Sequence, residues 1–196
     1  MSELMATAQN NSAFKQIPAG VHSARCVKVV DLGTQRKEYN GETSWKREVL
    51  ITWETPEEMH DGVPMTVSKF YTLSLHEKSN LGADLTSWRG RAFTETEKQG
   101  FDISKLLGVT CMLNCIEGAN GKIKINSIMP HNGEMEKQFH ESLFFSIEDY
   151  QNGDKSVFEE LTPGIANIVL RAQELQNISI DQGDGGNGAS TEDVPF

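Results

Sequence analysis

Cysteine, metal-ligand spacings and long apolar runs are all scarce in this sequence, and each scarcity excludes something. The 196 residues include three cysteines, Cys26, Cys111 and Cys115, too few and too odd in number for a disulfide framework, so a reducing compartment is expected. Cys111 and Cys115 share one side of a strand candidate and read as buried thiols rather than metal ligands. No stretch of about 18 apolar residues occurs, which excludes a membrane-spanning helix. Residues 1–16 lack the charged, apolar and cleavage regions of a secretion signal, so a cytoplasmic location is expected. The five histidines fall at no metal-binding spacing. A phosphate-binding loop, a nucleophile elbow and an H-E-x-x-H pair are absent too. Gly183, Gly185 and Gly188 spell G-x-G-x-x-G, but without the strand before and helix after that such a loop needs. The chain therefore reads as a non-enzyme with no cofactor and no metal.

Charge is present but unevenly spread. The net charge is −10, which taken alone argues against a nucleic-acid partner. Residues 1–133 are neutral, with 15 acids against 15 bases; residues 134–180 carry −6 and residues 181–196 carry −4. A neutral body with an acidic C-terminal third is the pattern of a binding domain with an acidic tail.

Residues 1–15 read as a flexible arm. Strand candidates follow at Val21–Leu32, Trp45–Trp53 and Met65–Leu75, with a polar loop over Gly33–Ser44 and a turn over Glu54–Pro64. Helical spacing then appears in Leu81, Leu85 and Trp88, with Asn80 available as a cap, Trp88 as core and Gly90 as the C-terminal cap. A second short helix fits Asp102–Leu107. Two further strands, Thr110–Glu117 and Lys122–Met129, flank the turn Gly118–Gly121. Three strands, a helical insertion and two strands is the order of an OB-fold, a five-stranded Greek-key barrel, so the class is mainly β with this barrel over residues 16–133. Residues 134–180 form an extension in which Thr162-Pro163 starts an amphipathic helix, with Ile165, Ile168, Val169, Ala172 and Leu175 on one stripe to Gln176. That helix reads as structural, packed on the barrel or on a second subunit, which leaves an oligomer open. Residues 181–196 read as a disordered acidic tail.

Single-stranded nucleic acid needs cations along its phosphates and flat side chains under its bases. On the presumed binding strands and loops of the barrel, Arg36, Lys37, Tyr39, Trp45, Lys46, Arg47, Lys69 and Tyr71 interleave both kinds, and Lys122 and Lys124 alternate on the fifth strand. These ten are the candidate DNA-binding residues. In the tail, Glu192, Asp193, Val194, Pro195 and Phe196 form an acidic pair with a stiff apolar tip, suited to a partner's apolar pocket rimmed by bases.

That tip resembles the C-terminus of bacterial single-stranded-DNA-binding proteins, although it has only two adjacent acids and a valine before the proline. The body, roughly over residues 17–175, is similar to a bacteriophage family of replication-associated single-stranded-DNA-binding proteins. The stretches carrying this are Lys69–Leu81 (KFYTLSLHEKSNL), Trp88–Phe93 (WRGRAF) and Phe101–Gly108 (FDISKLLG). The resemblance implies sequence-independent binding and protection of single-stranded DNA in phage replication or recombination, inside the host cytoplasm, with duplex bound more weakly. It also implies a tail that recruits replication or recombination proteins and competes with DNA. A protein-interaction or strand-annealing module is the other reading.

Overall fold

The computed structural model describes residues 15–176; the tail and most of the arm lie outside them. Six strands form one sheet: β1 (Gly20–Tyr39), β2 (Glu42–His60), β3 (Val63–Thr72), β4 (Thr110–Glu117), β5 (Ile123–Pro130) and β6 (Leu143–Phe145). The first five are antiparallel in the order β3-β2-β1-β4-β5, and β6 runs parallel to β1 along Lys28–Val30. The two edges of that order, β3 and β5, approach each other without pairing, and Val67 and Ile123 both pack on the same core. Beside β5, the Gln16 side-chain amide accepts from Ile123 N (2.8 Å) and donates to Gly121 O. Among the described residues no helix is long and apolar enough to cross a membrane.

The strands are longer than their apolar segments suggest. The expected loop over Gly33–Ser44 is instead the end of a two-stranded ribbon, paired out to Tyr39↔Glu42. Its turn is Asn40-Gly41, with positive φ at both residues (51° and 79°), the turn whose twist matches a hairpin. The expected turn over Glu54–Pro64 shrinks likewise to Asp61-Gly62 (52° and 78°), and β2 runs to His60 past a bulge at Thr55–Met59.

Between β3 and β4, α1 (Asn80–Arg89) packs against one face of the sheet. Its cap is Ser79, which accepts from Gly82 N, so Asn80 is the first helical residue rather than the cap. Gly90 ends the helix in the left-handed conformation, and Trp88 is buried, donating to Thr110 O. The chain continues through α2 (Glu95–Gln99), not anticipated, and a 3-10 turn over Ile103–Leu106. Glu97 of α2 accepts from Arg89 and Arg91, and those bonds hold its carboxyl down to about 2.

The inner face of the sheet buries Val29, Val49, Ile51, Trp53 and Tyr71 with α1 and with Cys26, Cys111 and Cys115. Burial pushes the Cys26 thiol up to about 12 and Cys115 up to about 11, away from reactivity.

The outer face is also covered, by residues 134–176: β6, α3 (Ile147–Gln151), α4 (Ser156–Glu159) and α5 (Pro163–Val169). Val30, Leu32 and Leu50 pack there against Leu143, Phe145, Ile147, Val169 and Ala172. The helix expected from Pro163 to Gln176 stops at Val169, and Thr162 caps it without a side-chain bond. Its stripe still faces the sheet, so it packs within its own chain. Gly33 marks the closest crossing: a Cβ there would sit 2.3 Å from Ile147 Cδ1 and 2.6 Å from Ala172 Cβ.

Polar ties fix this cover. Buried Asp31 accepts from Gly33 N, Arg47 and Ile147 N. Glu174 accepts from Thr34 N and Oγ1, and Gln35 donates to Ile168 O. Glu54, fully buried, accepts from Phe139 N and His140 N, shares a 3.0 Å hydrogen bond with His140 Nδ1 and faces Arg25 at 3.5 Å. Glu54→Ala leaves partly buried Arg25 and two backbone donors without their carboxylate, and is expected to cost about 3–5 kcal/mol in chemical denaturation. A loss below about 1 kcal/mol, the worth of one ordinary hydrogen bond, would refute that role.

Candidate nucleic-acid interface

Cross-strand register decides which of the ten candidate residues face the same way, because directly opposed residues share a side and neighbours alternate. Trp45 is opposed to Arg36, and Lys46 to Gln35, so the tryptophan and the lysine beside it stand on opposite sides of the ribbon. Trp45 is 50% exposed and Tyr39, at the ribbon end, 77% exposed. Arg36 is open, with a bond to Thr43; Lys37 pairs with Glu48 at 2.8 Å; Lys46 is exposed. Arg47 is committed to Asp31 at 2.6 Å, and that bond raises its pKa further.

Tyr71 is not on the outer surface. It is 2% exposed, its hydroxyl donates to Asp84 Oδ2 (2.7 Å), and burial with that neighbouring carboxylate drives its pKa upward. It cannot offer a ring face to a base. Lys69, on the same side of β3, binds the same Asp84 oxygen at 2.6 Å and is mostly withdrawn. Lys122 and Lys124 are exposed on either side of Ile123, which borders a hollow of about 270 Å³ shared with Thr66 and Ser68.

The aromatic ring on the outer side of β3 is Phe70, 50% exposed. It lies where three hollows meet. The first, about 360 Å³, lies between the sheet and α5 and includes Lys28 and His140. The second, about 350 Å³, includes Arg36, Lys37 and Arg171. The third, about 440 Å³, includes Lys46, His76 and Lys78. Six lysines and arginines therefore border a path centred on one exposed phenylalanine; of these, Lys37 pairs with Glu48 and Arg36 faces Glu38 at 3.9 Å. The charge of −10 for the whole chain hides this local balance.

Phe70, Lys28, Lys78, His76, His140 and Arg171 are absent from the sequence-derived set. Period two held the signal for Phe70: with Val67, Lys69 and Tyr71 inward, the outward row is Thr66, Ser68, Phe70 and Thr72, one aromatic in a polar series. Arg171 and His140 reach the path only through the packing of residues 134–176, which local pattern does not reveal. The expected tail site, Glu192 to Phe196, lies outside the described residues.

No protein-family model matches the chain, and no curated protein matches it.

Trp45 is exposed while Trp53 and Trp88 are buried. Acrylamide should accordingly quench a single class of tryptophan in the folded protein, and Trp45→Phe should remove it while leaving blue-shifted, protected emission. Equal quenching of all the tryptophans would contradict this arrangement.

Proposed function

We propose that this protein is a nucleic-acid-binding barrel of the OB type. The strand order β3-β2-β1-β4-β5, the helix between β3 and β4, and the approach of β3 to β5 support that reading. Within that class, it is a single-stranded-DNA-binding protein that coats and protects DNA without sequence preference in phage replication or recombination. The observation that carries the proposal is Phe70, a half-exposed ring at the meeting point of three hollows bordered by Lys28, Arg36, Lys37, Lys46, Lys78 and Arg171. A ring for an unstacked base amid cations for the phosphates is what a single strand requires, and a duplex, whose bases are already stacked, gains only the second. Tyr39 and Trp45 on the ribbon offer further rings.

A gel-shift comparison of single strand, duplex and RNA tests the class of ligand, with single-stranded DNA expected to bind most tightly. Phe70→Ala should weaken single-strand binding by about 1–3 kcal/mol, the worth of one stacked base. Lys46→Ala should instead lower the slope of log affinity against log salt by about 0.7. If both variants bind as the parent does, the interface is elsewhere; absence of all DNA binding in the parent would leave the protein-interaction reading.

The acidic tail extends this proposal. Residues 181–196 carry −4 and end in Val194, Pro195 and Phe196, a composition suited to competing with phosphates for the cationic path and to recruiting replication or recombination proteins. Removing residues 181–196 should raise DNA affinity at low salt, more for duplex than for single strand, and the gain should shrink as salt screens both competitors. Identical salt curves for full-length and truncated protein would eliminate the competition.

A further inference from the structure

The hollow between the sheet and α5 is walled on both sides. Its floor is the outer face of β1, β2 and β3, where register lines up two neighbouring cross-strand rows. One row is apolar, Val30 opposed to Leu50 and Leu50 to Phe70; the next is polar, Lys28 opposed to Thr52 and Thr52 to Ser68. Successive rows on one face are about 7 Å apart, two residues along a strand, which is close to the width of a flat heterocycle. The roof is Ile165 of α5 with Leu161 from the preceding turn, so apolar groups stand both below and above.

The polar row supplies the right chemistry for the edge of a base. Lys28 brings donors only. Thr52 Oγ1 and Ser68 Oγ share one hydrogen bond at 2.8 Å, which leaves one hydroxyl proton and several lone pairs to offer. His140 closes the side, its Nδ1 held by buried Glu54 and its other ring nitrogen unused by any described hydrogen bond. At about 360 Å³ the space falls within the small-ligand range, and the ties at Glu54, Asp31 and Glu174 form it in advance of any ligand. Phe70 forms part of its rim and also of the two cation-bordered hollows beyond.

From this juxtaposition we infer that the hollow is a base pocket: as a strand passes over Phe70, one base leaves the stack and inserts between Leu50 and Ile165, its edge on the Lys28–Thr52–Ser68 row. The inference rests on the single-strand reading and deepens it. It makes α5 part of the DNA site, whereas its aliphatic stripe alone reads as structural. The pocket takes bases of more than one kind, because the hydroxyls can donate or accept.

The test uses the full chain, with a short oligothymidylate and an abasic oligonucleotide of the same length and charge. Ile165→Phe fills the hollow from α5, and Ser68→Ala removes one hydroxyl of the polar row with almost no change in volume; thermal melting verifies that each remains folded. Both variants should lose affinity for oligothymidylate, Ile165→Phe by about 5- to 100-fold, the equivalent of one base contact. Affinity for the abasic strand and the salt slope should not move. Equal loss on both strands, or no loss in either variant while Phe70→Ala still weakens binding, would overturn the pocket and leave the open groove standing. A parent that binds neither strand would overturn the single-strand reading and the pocket with it.

Discussion

The β1–β2 strand pair is buried on both faces over its central length, and the rest of the molecule is arranged around that requirement. Val29, Val49 and Ile51 face the inner core while Val30, Leu32 and Leu50 point the other way. Each needs an apolar partner, and a strand pair sandwiched in this manner shows continuous apolar runs instead of alternation. The inner core and α1 satisfy the first set. The second set has no other strand layer to meet, so residues 134–176 fold back over it. Polar groups caught in the sandwich, Asp31 and Glu54 above all, are bonded to the covering segment. An acid left unbonded at such depth would be expensive; bonded, it fixes where the cover lies.

The cover is incomplete, and the interface begins where it stops. Residues 134–176 shield Leu32 and the Gly33 crossing but leave half of Phe70 open at the β3 side. The covering segment is acidic overall, yet the residues with ionisable side chains that it brings to the path are Arg171 and His140, and the acid Glu174 is spent on Thr34. Charge is thereby sorted at the level of single side chains. The path is cationic within a chain of net charge −10, and at ordinary salt a Debye length of about 8 Å keeps distant acids from cancelling it.

Much of the sheet and the helix that follows β3 was legible in the sequence. β4 matched its expected bounds, β5 was displaced by one residue, and α1 carried its spacing and its glycine stop. The ribbon was not legible, because Gly33 and the polar run after it resemble a loop. The glycine is there for a different reason, the close passage of Ile147 and Ala172. The candidate residues fared unevenly on the same physical ground. Alternation shows which residues of β3 share a side but not which side is the core: Tyr71, expected among the binding residues, lies inside, and Phe70, on the other side of the strand, is the exposed ring. Lys69 is withdrawn because Asp84 of α1 neutralises it, a partner 15 residues away that periodicity cannot supply. β6, α3 and α4 were missed since each is 5 residues or fewer and is held by tertiary contacts, β6 and α3 to β1 and α4 to β6, rather than by its own propensity.

The parallel pairing of β6 with β1 joins Lys28 to Leu143 and Val30 to Phe145, residues separated by more than half the chain. Closing so long a loop is entropically slow, whereas the β1–β2 and β2–β3 hairpins form from neighbouring sequence. During synthesis the hairpins thus exist well before their cover has been translated. For that interval Val30, Leu32 and Leu50 face water, and the β1 edge awaiting β6 has open backbone donors and acceptors. An exposed apolar face beside an unpaired edge is the template on which nascent chains associate. The yield of native protein therefore depends on how fast residues 143–172 follow the hairpins as well as on the stability of the finished fold.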